Sequence, residues 1–175
     1  MDYHVYKRSR DAAWEFLIDN DIRSLPVTFS QICRDHDISL MRYLGSGFFK
    51  ENERGISYIK DDRFNILVNG ADDTNVQRFT IAHELGHIFL GHLDEGNTIH
   101  TRLSGTRDAP KSKAEYQAER FAMGILAPAC VLWGADIRRA ADIERICCIP
   151  HEEALIRVER MRLLYKRNSF FRIAA

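Results

Sequence analysis

The sequence predicts an α+β fold, mostly helical, with a small antiparallel three-stranded sheet packed beside one buried helix. Three observations lead there. The stretch from Thr74 to His92, TNVQRFTIAHELGHIFLGH, is apolar around most of a helical circumference, the mark of a helix covered on nearly all sides. Just before it, two short β-rich runs, Gly55 to Lys60 and Phe64 to Asn69, are joined by Asp61-Asp62-Arg63 in the manner of a hairpin. On either side of that block the apolar residues recur at helical spacing.

Taken in order, residues 1–37 read as N-terminal helices. An amphipathic helix over 5–19 places Ala12, Ala13, Phe16 and Leu17 on one side, and Pro26 then breaks the chain. Thr28 or Ser30 can cap a short second helix that ends near Asp35-His36. Residues 38–69 hold the sheet: Ile38 to Leu44, a Gly45-Ser46-Gly47 turn, and the hairpin. Thr74 with Gln77 has the form of a capping box for a helix over 74–91, which Gly91 ends. Residues 93–111 are polar and broken by Gly and Pro, without a clean period. The next helix spans 112–127, opened by Ser112 and stopped before Pro128. The remainder, 128–175, reads as a helical stretch carrying Trp133, Ile137 and Ile143, then a last helix from Pro150 to about Lys166.

At 175 residues the chain fits one domain able to bury a core without covalent staples. Its 25 basic and 25 acidic residues cancel, so no global field draws it to nucleic acid or an anionic membrane. Cys33, Cys130, Cys147 and Cys148 show neither C-x-x-C nor disulfide-like spacing, as expected of free thiols in a reducing compartment. The first residues lack an apolar signal region, and no run is long enough to span a bilayer. A cytoplasmic protein with no membrane partner is the expectation.

Within the buried helix, His83-Glu84-Leu85-Gly86-His87 has the H-E-x-x-H form. Histidines four apart on a helix lie about 40° apart around the axis and about 6 Å apart along it, so both imidazoles can reach one ion. Glu84, beside the first of them, can then act as general base on a water at that ion. Thr80, His83, Glu84, His87 and Gly91 share an arc of roughly 100° on a helix otherwise apolar. Such a polar stripe needs partners inside the protein, because unpaired buried polar groups cost several kcal/mol. The bland alternative, two core histidines beside a surface Glu, suits an isolated motif better than one set in this helix.

A catalytic zinc takes three protein ligands. His92 follows the second histidine by five residues, with Gly91 four after it. The metzincin pattern requires six and three, so His92 is set aside as a ligand. Glu115 on the next helix is the better third ligand, with Glu119 one turn later to orient an imidazole. Ser112-Lys113-Ala114-Glu115 is also a capping box, so Glu115 could serve only the helix start, and spacing leaves both readings open. Phe64, Ile66 and Val68, in the strand nearest the helix in sequence, are candidates for a sheet edge that pairs with extended substrate.

RFTIAHELGHIFLGH followed by EYQAERFAMGILAP resembles the ImmA/IrrE family of metallopeptidases, which show an rFTlAHElGH helix and then an E-x-x-A-[N/D]-x-F-A-x-x-x-L-x-P helix. The likeness extends upstream over Ala12 to His36 and downstream to Arg157 and Met161. It implies a zincin-like fold, Zn2+ bound by His83, His87 and Glu115, and Glu84 as general base. Manganese, iron or cobalt also suit such a set. Glu119 stands where the family has Asn or Asp, one methylene shorter. The chain resembles the stand-alone members, without a fused helix-turn-helix module.

The implied activity is peptide hydrolysis of a helix-turn-helix repressor encoded nearby, which relieves repression of mobile-element or stress genes. Tyr116 and His100 are candidates for an oxyanion donor. Two rival readings are an anti-repressor that binds without cutting, its zinc structural, and a DNA reader built from residues 137–162. Neutral charge and the apolar Ile146-Cys147-Cys148-Ile149 turn count against the latter.

Overall fold

The computed structural model describes residues 3–50, 53–94, 98–102 and 112–168. Along the chain run α1 (Tyr3–Asp19), α2 (Phe29–Asp35), β1 (Ser39–Tyr43), β2 (Glu53–Lys60), β3 (Arg63–Asn69), α3 (Thr74–Phe89), β4 (Thr98–Arg102), α4 (Lys113–Leu126), α5 (Ala129–Gly134), α6 (Ala140–Cys147) and α7 (His151–Asn168). This is the α+β class expected from the sequence.

The sheet departs from expectation in two ways. It has four strands in the order β1-β3-β2-β4, and it is mixed, because β1 pairs parallel to β3 while β2 is antiparallel to both β3 and β4. The chain leaves β1, lays down β2 one strand further on, and returns through a tight hairpin into the gap between them. Asp61 and Asp62 both have φ above +50°, the handedness that a two-residue hairpin turn requires. The fourth strand, β4, lies inside the stretch expected to be irregular. Residues 95–97 and 103–111 of that stretch lie outside the described residues.

β3 is therefore an interior strand, paired on both sides. Its register sets Val68 opposite Gly55 and Ile66 opposite Ser57, so these four share one face of the sheet. That face lies beneath α3, and Ile66 and Val68 are fully buried there. Phe64 is partly buried against the same core. The expectation that Phe64, Ile66 and Val68 form a free edge for substrate is thus corrected: their strand is paired on both sides, with Ile66 and Val68 in the core and Phe64 packed against it. Among the described residues the sheet's edges are β1 and β4.

α3 is covered from Thr80 through His87, every residue of that span being buried. Asp73, not the expected Thr74, is its N-cap and accepts from the Asn75 N–H, while Gln77 donates to the carbonyls of Gly70 and Asp72. At the other end Gly91, at φ +67°, takes the left-handed position that closes a helix. The N–H of Gly91 bonds the Ile88 carbonyl and the N–H of His92 bonds the His87 carbonyl at 2.9 Å, a Schellman motif.

α1 and α4 complete the core around α3. Phe16 meets Phe89 and Phe121 edge-to-face, at centroid distances of 5.0 and 5.4 Å. Gly124 lets α4 come down on Ala13: a Cβ built at Gly124 would stand 2.7 Å from the Ala13 methyl. From α1, Arg8 donates to the Leu90 carbonyl at 2.7 Å. Beyond α4, the expected single helical stretch is two helices, α5 and α6, separated at Asp136, whose φ of +59° no helix tolerates. α7 buries Ala154, Val158 and Met161, and its Arg157 turns inward to donate to the Met123 carbonyl.

Candidate metal centre

Helical geometry delivers the first two groups. His83 and His87 lie one turn apart on the buried stripe of α3, their Nε2 atoms 3.1 Å apart. α4 delivers the third. Glu115 Oε2 is 3.2 Å from His83 Nε2, and Glu115 Oε1 is 3.3 Å from His87 Nε2. The ligand-type atoms of the three residues all lie within 4.8 Å of one another. Both imidazoles are buried, while the Glu115 side chain is a third exposed, so the cluster faces solvent on the carboxylate side.

The spacing depends on how closely the two helices approach. Gly86 sits beside His87, and a Cβ placed there would stand 3.0 Å from both Cα and O of Ala118, three residues after Glu115. Only Gly against Ala allows this contact. The capping reading of Glu115 is also realised in part, since its backbone N–H bonds Ser112 Oγ at 3.1 Å. Backbone and side chain thus do separate jobs, and the carboxylate is left for the histidines.

Electrostatics follow from this packing. Burial alone would push His83 down, but the Glu115 hydrogen bond and charge, with Glu84 and Glu119 adding, hold it above the ordinary imidazole value. Burial would raise Glu115, yet its hydrogen bonds to His83 and His87 hold it well below the usual carboxylate range. Two neutral-capable nitrogens and one ionised oxygen, ringed by further carboxylates, form a donor set that suits a divalent transition metal.

Glu84 is fully buried and points to the sheet. Ser57 Oγ on β2 donates to Glu84 Oε2. A Cβ added at Gly55 would fall 2.9 Å from Glu84 Oε1 and 2.4 Å from Thr80 Cγ2, so the missing side chain there makes room for the carboxylate. Sequence reasoning missed both residues. The signal was a Gly and a Ser two apart on the core face of a β-rich run, where apolar side chains are the rule.

The other expected residues fall out differently. Glu119 lies one turn after Glu115, 3.7 Å from Arg160 Nη2, and its charge acts on His83. Tyr116 is partly exposed with the Arg120 guanidinium over its ring at 4.7 Å. His100 pairs with Ile56 in β4, and its side chain lies outside the described atoms. His92, set aside as a ligand, comes back against the cluster all the same: its Nδ1 is 3.1 Å from His87 Nδ1 and its Nε2 is 3.2 Å from Gln117 Oε1. Burial, then the neighbouring His87, brings His92 down to about 4.

An H-E-x-x-H helix laid on a mixed sheet, facing a carboxylate from the following helix, defines a metallopeptidase-like protein. The family model described as the IrrE N-terminal-like domain, peptidase M78, matches residues 33–163, and the chain belongs to that family. No curated protein matches it. No described helix is long and apolar enough to cross a membrane.

Proposed function

We propose that the chain is a zinc-dependent endopeptidase that cuts a helix-turn-helix repressor and thereby lifts repression. The observation that carries the metallopeptidase reading is the meeting of His83, His87 and Glu115 within 4.8 Å, with buried Glu84 next to the first of them. His83 and His87 would hold the ion through Nε2 and Glu115 through its carboxylate. When bound there, a divalent ion supplies Lewis acidity toward a scissile carbonyl and makes a water acidic near neutral pH.

The rest of the chemistry falls to the chain itself. Glu84 takes the proton of the attacking water at its carboxylate and passes it to the leaving amine nitrogen. Ser57 fixes one Glu84 oxygen, which leaves the carboxylate a single orientation. β4, an edge strand among the described residues and in contact with α3, is the strand to which an extended substrate segment would add, in place of interior β3. The repressor as substrate rests on the family resemblance. Of the basic residues on α7, Arg157 is not available to a DNA reader, because it is buried and bonded to the Met123 carbonyl.

The test is incubation of the zinc-loaded protein with a helix-turn-helix repressor encoded beside it, comparing wild type with Glu84→Gln by mass spectrometry. Cleavage that falls roughly 10²- to 10⁴-fold in the variant, with zinc still bound, supports the reading. Repressor release without cleavage, unchanged by the substitution, would establish the binding-only anti-repressor instead.

A further inference from the structure

We infer that His92 and Gln117 are positioning residues that set the tautomer of His87, so that its Nε2 presents a lone pair to the ion. The inference rests on the metal reading of the site and extends it to residues not in the ligand set.

The chemistry runs inward from Gln117. This residue is buried on α4, and its Oε1 can only accept a hydrogen bond. With Oε1 turned toward it at 3.2 Å, His92 Nε2 is the donor in this contact. A neutral imidazole protonated at Nε2 has its lone pair at Nδ1, and His92 Nδ1 lies 3.1 Å from His87 Nδ1. His87 then donates from Nδ1, and its Nε2, 3.3 Å from Glu115 Oε1 and 3.1 Å from His83 Nε2, is the atom that would face an ion held there.

The backbone supports the same arrangement. His92 would continue away from His87 if α3 went on, since residues five apart on a helix do not share a face. The left-handed Gly91 and the Schellman bond from His92 N–H to the His87 carbonyl turn the chain back, so the two rings meet at a centroid distance of 5.1 Å. Gly91 has nothing within 4 Å of a built Cβ. Its glycine thus answers a need of conformation and not of space.

Zinc affinity of the purified protein, measured by competition with a chromophoric chelator, tests this alongside apo-protein melting. His92→Phe keeps a ring but removes the acceptor, and is expected to weaken zinc binding about 10- to 100-fold. His92→Asn restores an acceptor oxygen near the position of Nδ1 and should recover most of that loss. Gln117→Leu, which frees the His92 tautomer, should weaken binding in the same direction by less. In zinc-loaded wild type, nitrogen–proton correlation spectra should show His87 protonated at Nδ1.

Equal zinc affinity in wild type and His92→Phe would overturn the inference, as would equal losses in His92→Phe and His92→Asn, which indicate packing alone. Should His92→Phe fail to fold, Gln117→Leu and the His87 tautomer decide. If wild type itself takes up no zinc, the metal reading falls; if wild type binds and the variants bind equally, only the positioning role falls.

Discussion

Replacing Gly86 with Ala is the sharpest probe of how the fold sets the site. The new methyl would stand 3.0 Å from the Cα and O of Ala118 and 3.2 Å from Phe121 Cδ1, where carbon contacts prefer about 3.5–4.0 Å. Two of the three obstacles are backbone atoms, so α3 and α4 must part by roughly half an ångström. Overpacking of this kind costs about 1–3 kcal/mol. Ala in place of Gly within a helix returns about 1 kcal/mol through propensity. The net loss of about 0–2 kcal/mol corresponds to a fall in Tm of about 0–8 °C for a chain of this size.

The effect on the metal should be larger than that on the fold. Gly86 adjoins His87 and Ala118 follows Glu115 by one turn, so the wedge opens the ligand set directly, while metal sites tolerate only about 0.2 Å. Chelator competition should show zinc affinity reduced about 10- to 100-fold. A variant that melts higher and binds zinc as tightly as wild type would refute the claim that helix approach sets ligand spacing.

Two further predictions test neighbouring features. Gly55→Ala should abolish cleavage and lower stability by about 1–3 kcal/mol, because the methyl meets Thr80 Cγ2 and Glu84 Oε1. Adding Thr80→Ser should return part of the stability and none of the activity, read by melting and by cleavage. Burial pushes the thiols of Cys33 and Cys147 up to about 11, whereas Cys130 is exposed. Alkylation near pH 8 should therefore mark Cys130 first and spare Cys33 and Cys147 until the chain unfolds, as peptide mapping would show. Because the fold favours the neutral thiols, their contribution holds below the ordinary value of 9.0 and declines as pH rises toward 11. Equal native-state labelling of all four would contradict this.

What could be read from the sequence was what local periodicity encodes. The all-round apolar character of α3, with one polar stripe, announced both its burial and its chemistry. The Ser112 cap, the Gly91 stop and the Asp61-Asp62 turn are likewise contained within a few residues. Strand order is not. Nothing within 38–69 says that β1 will lie parallel to β3 with β2 beyond it, and so Phe64, Ile66 and Val68 read as an edge when they lie on an interior strand. The same limit hid Ser57, Gly55 and Gln117. Each matters through a residue on another element, and only the packing of sheet on helix, or helix on helix, reveals the partner. His92 was visible as a histidine near the motif, but its part depends on a backbone reversal and not on ligand spacing.

The place of α1 has a practical bearing. This helix precedes the stretch by which the family is recognised, 33–163, yet Phe16 packs edge-on against both Phe89 and Phe121, and Arg8 satisfies the Leu90 carbonyl where α3 ends. An expression fragment trimmed to the recognisable portion would bare a greasy flank on the helix that carries Glu115. It should aggregate or lose its grip on the ion even though every residue of the signature is still present.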